Sequence, residues 1–120
     1  GCAPAVLAIH SFTPKMDGII RPWHIGVLWG SDPRIPRPLL ASLGGHVGLI
    51  VGDNVPYSGR GQFGHTIEVH ASSDGLPNAM IEIRADLIRD DAGITRISDL
   101  LGSSLELILA DPDLYRAEIY

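Results

Sequence analysis

Cysteine and lysine are each represented by a single residue in this chain of 120 residues. The one cysteine, Cys2, cannot form an internal disulfide, which excludes a disulfide-stabilised scaffold and a cysteine-rich zinc finger. The one lysine, Lys15, and eight scattered arginines are outnumbered by 14 acidic residues, so the net charge is −5. Binding to a nucleic-acid backbone requires a basic surface, and we therefore expect no nucleic-acid partner.

Long hydrophobic segments are also absent. No apolar run approaches the roughly 20 residues that span a bilayer, and the chain begins Gly-Cys-Ala-Pro, without the charged segment of a signal peptide. We therefore expect a cytoplasmic protein with no membrane partner. Hydrophobic residues still make up 45% of the chain and charged residues 19%, which is typical of a globular domain with one core.

Short apolar runs alternate with segments of helical pattern. Three prolines in residues 31–38 precede a predicted helix that ends near Leu43, and the apolar spacing from Ile94 to Ile108 predicts a last helix that opens at Thr95. This alternation predicts an α/β fold with a mostly parallel sheet flanked by helices. The predicted strands are residues 5–9, 23–29, 47–51 and 79–83.

Polar residues follow three of these strands, and in such folds ligands bind beyond the carboxyl ends of strands. Glu82 and Arg84 share one face of a strand, where they form either a structural ion pair or a general base beside an anion-binding guanidinium. His10 ends another strand, where it is either a metal ligand or a hydrogen-bonded core histidine. The polar strand ends are His10-Ser11, Asp53-Asn54 and Glu82-Arg84.

A glycine-rich loop occupies residues 52–64, and loops of this length usually have a function. Its segment from Gly59 to Gly64 matches the G-x-G-x-x-G dinucleotide fingerprint, but seven residues separate it from the strand that the fingerprint must follow directly. We therefore favour a loop that holds Arg60 over an anionic substrate. A second segment, Arg21-Pro22-Trp23-His24, is rich in side chains that often bind ligands. Arg21 is either an anion ligand or a solvated surface residue.

Four ordered sequence blocks resemble the N-formylglutamate amidohydrolase family. The blocks are H-S-F-T-P from His10, R-P-W-H-I-G-V-L-W from Arg21, G-D-N-x-P-Y-S-G-R from Gly52 and G-L-P-x-x-x-I-E-I-R-x-D-L-I from Gly75. The resemblance implies a three-layer α/β/α fold akin to the zinc-dependent exopeptidases. It also implies hydrolysis of a small N-formyl or related N-acyl acidic amino acid. The type reaction cleaves N-formylglutamate to glutamate and formate in histidine breakdown.

The resemblance also implies roles for individual residues. His10 would be a ligand of Zn²⁺ or another divalent metal, which lowers the pKa of a bound water and polarises the amide carbonyl. Glu82 would be the general base that takes the proton of that water. A guanidinium binds a carboxylate through paired hydrogen bonds, which suits a dicarboxylate substrate. The implied substrate-binding residues are Arg60, Arg84, Arg21, Asn54 and Ser11.

Family members are about twice as long, and the resemblance is to their C-terminal half. Residues 1–120 therefore form either a single α/β domain or the C-terminal portion of a larger amidohydrolase domain. A catalytic zinc takes three protein ligands, and we expect the first half of the family's chain to supply those beyond His10. The chain also has His65 where the family has Tyr and Val69 where it has Arg. We expect the 120-residue chain alone to be inactive.

Two other interpretations belong to different functional classes. The first is a non-catalytic small-molecule-binding domain that kept an anion pocket and lost the metal, and the metal content of the intact protein distinguishes it from the enzyme. The second is a nucleotide-binding half-domain, which requires the segment from Gly59 to Gly64 to turn directly from a strand into a helix.

Overall fold

A computed structural model describes residues 2–57 and 71–120. Arg60, His65 and the glycine pattern from Gly59 to Gly64 lie outside these described residues. Short 3-10 helices cover Ser72–Asp74, Ala85–Ile88 and Pro112–Leu114. The strands are β1 (Val6–Phe12), β2 (Lys15–Met16), β3 (Ile19–Ile20), β4 (Ile25–Leu28), β5 (Val51–Asp53) and β6 (Asn78–Arg84), and the α-helices are α1 (Pro36–Gly44) and α2 (Asp91–Leu109).

Four of the strands form one sheet in the order β1-β6-β4-β5. The pairs β1–β6 and β4–β5 are parallel, whereas the central pair β4–β6 is antiparallel. The prediction of an α/β fold with a mostly parallel sheet is therefore confirmed. The two parallel pairs run in opposite directions. The carboxyl ends of β1 and β6 therefore lie at one end of the sheet, and those of β4 and β5 lie at the opposite end. The polar segment at the end of β5 (Asp53-Asn54) therefore lies at the opposite end of the sheet from the polar residues of β1 and β6.

The main hydrophobic core lies between the sheet and the two α-helices. Alternate residues of β4 and β6 (Ile25, Val27, Ile81 and Ile83) face the helices and are buried. They pack against side chains spaced three or four apart on the helices: Leu39 and Leu43 of α1, and Ile97 and Leu101 of α2. We call this side of the sheet the helix face. The second helical layer of a three-layer fold stays a prediction.

Helix α2 begins at Asp91, four residues earlier than the sequence pattern predicts. The side chain of Asp90 caps it by accepting a hydrogen bond from the Gly93 backbone N–H at 2.7 Å. Gly93 lies in the first turn of α2, where a Cβ would be 2.1 Å from the Leu87 carbonyl oxygen, so only glycine permits this close approach. Within the predicted apolar stripe, Ile97 is buried, whereas Ile94 is 47% exposed.

Two shorter features differ from the sequence prediction. The predicted strand over residues 47–51 begins only at Val51, because the preceding residues form turns between α1 and β5. The small hairpin β2–β3 was not predicted, and its turn places Asp17 and Gly18 at positive φ angles of 52° and 77°. None of the helices within residues 2–57 and 71–120 combines the length and hydrophobicity that a membrane span requires.

Candidate functional site

One row of residues crosses all four strands of the sheet. His10 pairs with Glu82, Glu82 with Gly26, and Gly26 with Gly52. Residues paired in this way present their side chains on the same face, and their sequence neighbours face the helices. The side of the sheet that carries this row is called the site face.

The two glycines in the row allow the chain after β5 to lie directly on the sheet. A Cβ at Gly26 would be 2.1 Å from the Val55 carbonyl oxygen, and one at Gly52 would be 2.3 Å from Val55 Cγ2. No other residue permits such a close approach of backbone to backbone. The segment 54–57 therefore crosses the site face and brings Tyr57 towards the row.

Glu82 is the one carboxylate in the row, and it is only 4% exposed. Its Oε1 lies 4.0 Å from His10 Nδ1, and its Oε2 has no hydrogen-bond partner among the described residues. Burial raises the pKa of Glu82, and the positive charges of His10 and Arg21 offset this shift only in part. A buried carboxylate that lacks its full set of hydrogen bonds is costly, and such groups are concentrated at functional sites.

Arg21 is a buried cation, only 8% exposed, whose charge acts on Glu82. It donates hydrogen bonds to Tyr57 Oη at 3.0 Å and to the carbonyl and hydroxyl oxygens of Thr13 at 3.3 Å, and it contacts Met16 Sδ at 2.9 Å. Its guanidinium carbon also lies 5.1 Å from the centre of the Tyr57 ring. No carboxylate of the described residues comes within ion-pair distance of it. Neutral oxygens therefore hold this cation in place.

Arg84 pairs with Asp86 instead of Glu82. Two of its nitrogens donate to the two oxygens of Asp86 at 2.7 and 3.1 Å, and a third donates to the Pro22 carbonyl at 3.2 Å. The hydrogen bond from Arg84 lowers the pKa of Asp86. The Glu82–Arg84 ion pair considered from the sequence is therefore wrong, and Arg84 ties the end of β6 to the segment before β4.

The sequence profile of N-formylglutamate amidohydrolase matches residues 2–89. The chain belongs to the N-formylglutamate amidohydrolase family. Its fold is similar to the crystal structure of gene product Atu2144 from Agrobacterium tumefaciens, with 39% sequence identity and a TM-score of 0.78. That match covers 89% of this chain and 44% of the other, so the chain spans less than half the length of its solved relative. A comparison with curated proteins found no significant match.

Two further predicted site residues of this amidohydrolase-family chain, Ser11 and Asn54, are not gathered at Glu82. Ser11 pairs with Ile83, and by strand alternation it lies on the helix face. Asn54 follows β5, at the end of the sheet opposite to the carboxyl end of β6. Its Oδ1 accepts a hydrogen bond from the Trp29 backbone N–H at 2.8 Å. Arg60 lies outside the described residues. Their roles in substrate binding stay predictions.

The predicted metal site is incomplete within the described residues. No group of three or more His, Cys, Asp or Glu side chains able to hold a metal occurs among residues 2–57 and 71–120. The side chain of His10 is 57% exposed, and an imidazole nitrogen is a common zinc ligand. With Glu82 assigned as the general base, His10 is the one predicted ligand in the described chain, whereas a catalytic zinc takes three protein ligands. The described chain therefore does not by itself fit the metal that the family implies.

Several residues of the site were missed at the sequence level. Tyr57, which contacts Arg21, was noted only as part of a family block, and the two glycines of the row were not singled out. Gly26 did carry a signal, because a glycine inside an apolar strand indicates a close backbone approach. No local pattern links Tyr57 to Arg21, which is 36 residues earlier in the chain.

Proposed function

We propose that this chain contributes the general base to an amidohydrolase that acts on N-formyl or related N-acyl acidic amino acids. Family membership supports the hydrolase class. The observation that carries the proposal is the buried carboxyl of Glu82, whose Oε2 lacks a partner among the described residues. Because its pKa is raised, this carboxylate is a stronger base than an exposed glutamate, which suits it to accept a proton and return it.

The proposed reaction uses Glu82 twice. A water oxygen bonds to the carbonyl carbon of the substrate, and the water's proton moves to Glu82. The carbon–nitrogen bond then breaks, and the proton passes from Glu82 to the departing amine nitrogen. The products from N-formylglutamate are formate and glutamate. A divalent metal, when bound, supplies Lewis acidity to the water and the carbonyl.

We assign recognition of the substrate's carboxylates to Arg60 and Arg21. Arg21 is the buried cation on the site face, and Arg60 follows the segment that crosses it. The guanidinium of Arg84 is already engaged by Asp86, which makes it less suited to a substrate contact. The expected substrate is a small dianion, and the expected location of the protein is the cytoplasm.

The experiment that tests the proposed function measures formate release from N-formylglutamate with and without added Zn²⁺. We expect turnover from a longer form of the protein that includes the remaining metal ligands. We expect none from the 120-residue chain alone. Turnover by the 120-residue chain would mean that residues within it supply the missing ligands. A form that retains metal but hydrolyses neither N-formylglutamate nor another N-acyl acidic amino acid would contradict the proposed reaction.

His10 is expected to contribute to metal binding. In a form that retains zinc through dialysis, His10→Ala should lower the zinc content measured by elemental analysis, because removal of one of three ligands weakens the site. His46→Ala is the matched control, since it removes an exposed histidine that is not in the row. Unchanged zinc content in the His10 variant would exclude His10 as a ligand.

Arg60 is expected to set the preference for dianionic substrates. Arg60→Lys keeps the positive charge but loses the paired hydrogen bonds to a carboxylate, so KM should rise more for N-formylglutamate than for N-formylleucine. Arg89→Lys, an exposed change, is the control. Equal changes in KM for the two substrates would contradict this assignment.

A non-catalytic anion-binding domain is the second candidate function. It is favoured by the buried cation Arg21, which neutral oxygens hold, and by the incomplete set of metal ligands in the described residues. This function predicts saturable binding of N-formylglutamate with neither metal retention nor formate release in any form of the protein. Metal in the intact protein, together with turnover, would exclude it.

A further inference from the structure

A cavity of about 420 Å³ opens beside the amino end of β4, between the turn after α1 and the side of α2. Its polar lining comes from His24, His46 and Arg96, and its apolar lining includes Leu49, Leu87 and Leu100. It shares no lining residue with the row from His10 to Gly52. A cavity of this size is typical of sites for small molecules.

The polar side of the cavity consists of nitrogen donors. His24 Nδ1 accepts a hydrogen bond from the Ile50 backbone N–H at 2.8 Å, so the neutral ring carries its proton on Nε2. Burial lowers the pKa of His24, as do the charges of Arg84 and Arg96, while the facing carboxylate of Asp86 opposes them. Arg96 forms no ion pair with the described residues. None of the described residues that line the cavity is acidic, so the lining is suited to an anion.

The rest of the cavity is apolar and partly open to water. Leu49, Leu87 and Leu100 are each only partly buried, and Val47 at the rim is fully exposed. Covering such side chains with an apolar group is favourable by about 25 cal/mol per Å². The cavity therefore combines a charged end with an apolar wall.

We propose that this cavity binds a small carboxylic acid with an aliphatic body, its carboxylate held by Arg96 and His24 and its chain laid against the leucines. The guanidinium of Arg96 suits a carboxylate because it offers parallel N–H donors. A purely polar anion would leave the apolar wall exposed, and a neutral chain would leave the donors without a charge to bind. The site goes beyond the proposed amide hydrolysis, which takes place on the site face.

The test is isothermal titration of the 120-residue chain with octanoate, with 1-octanol and acetate as probes of the two halves of the ligand. We expect saturable one-to-one binding of octanoate and at least about tenfold weaker binding of the other two. Arg96→Gln should weaken octanoate binding by about tenfold, whereas Arg89→Gln, which removes an exposed arginine outside the cavity, should leave it unchanged.

The location of the ligand is tested by amide chemical shifts. Octanoate should move the signals of Leu49 and Leu100 in the wild type, and the spectrum of the ligand-free Arg96→Gln variant should show that it is folded. The proposal is overturned by the absence of saturable octanoate binding, by equal binding of octanoate and 1-octanol, by unchanged affinity in a folded Arg96→Gln variant, or by shifts confined to residues outside the cavity.

Discussion

Glu82→Gln is expected to lower kcat by about 10²–10⁴-fold, the usual contribution of a positioned general base. Glutamine keeps the shape of the side chain but cannot accept the water's proton. The measurement is formate release by a form of the protein that hydrolyses N-formylglutamate, with zinc content measured on the same samples. Zinc content should be unchanged. A variant with near wild-type kcat would mean that Glu82 has only a structural role.

The same substitution is expected to stabilise the folded 120-residue chain. An acid whose pKa is higher in the folded state loses stability as the pH rises from its ordinary pKa of 4.5 through the raised value, because the folded state must then give up a proton that it binds more tightly. Glutamine removes this loss. Urea unfolding should therefore show a gain of about 1 kcal/mol or more at pH 7 and little gain at pH 4.

The control for this stability measurement is Glu106→Gln, which replaces an exposed glutamate on α2. It should change the free energy of unfolding by less than about 0.5 kcal/mol at either pH. A loss of stability in Glu82→Gln at pH 7 would contradict the cost assigned to burying this carboxylate. A gain in stability with a loss of turnover is the combination expected of a group that is kept for its chemistry.

Gly26→Ala is expected to destabilise the 120-residue chain by about 3 kcal/mol. The added Cβ would lie 2.1 Å from the Val55 carbonyl oxygen. This contact is with backbone, so it cannot be relieved by rotation of a side chain. The segment 54–57 must then lift from the site face, and the hydrogen bond between Arg21 and Tyr57 is lost with it. Urea unfolding gives the stability, and two-dimensional NMR reports the displaced segment.

The matched control is Gly102→Ala, in which the same methyl group is added on α2 where nothing lies within 4 Å. Because alanine favours a helix interior over glycine, this change should stabilise the chain by about 0.5–1 kcal/mol. The two glycine substitutions thus have opposite expected signs. Equal stability of Gly26→Ala and the wild type would contradict the placement of segment 54–57 against the sheet.

The sequence predicts the positions of the strands better than their direction. The apolar runs that became β1 and β6 were located to within a few residues, since strands are marked by short continuous runs of hydrophobic residues, although only β6 is buried along its length. Hydrophobicity carries no sign of direction, so the antiparallel contact between β4 and β6 was not predicted. That contact separates Asn54 from Glu82, which the sequence had grouped together as strand ends.

The charged side chains show a similar limit. Glu82 was identified because a carboxylate is conspicuous in an apolar strand. The partner of Arg84 was missed because the 3-10 helix Ala85–Ile88 turns Asp86 within reach of its guanidinium, whereas strand periodicity pairs Arg84 with Glu82. Arg21 was placed among the binding residues, but its contact with Tyr57 depends on two glycines that let a distant segment cross the sheet.

The strand order has a consequence for the way the chain folds. β6 is the last of the described strands in sequence, yet it lies between β1 and β4, and it places Glu82 beside His10, 72 residues earlier. Contacts between residues so far apart form slowly, because a long loop must close before any pairing stabilises it. Among the described strands β1 pairs with β6, and this pair is complete only once residue 84 has been synthesised. The β4–β5 pair can form without β6, but the row that contains Glu82 cannot, so the contact between His10 and Glu82 is expected to be among the last to form.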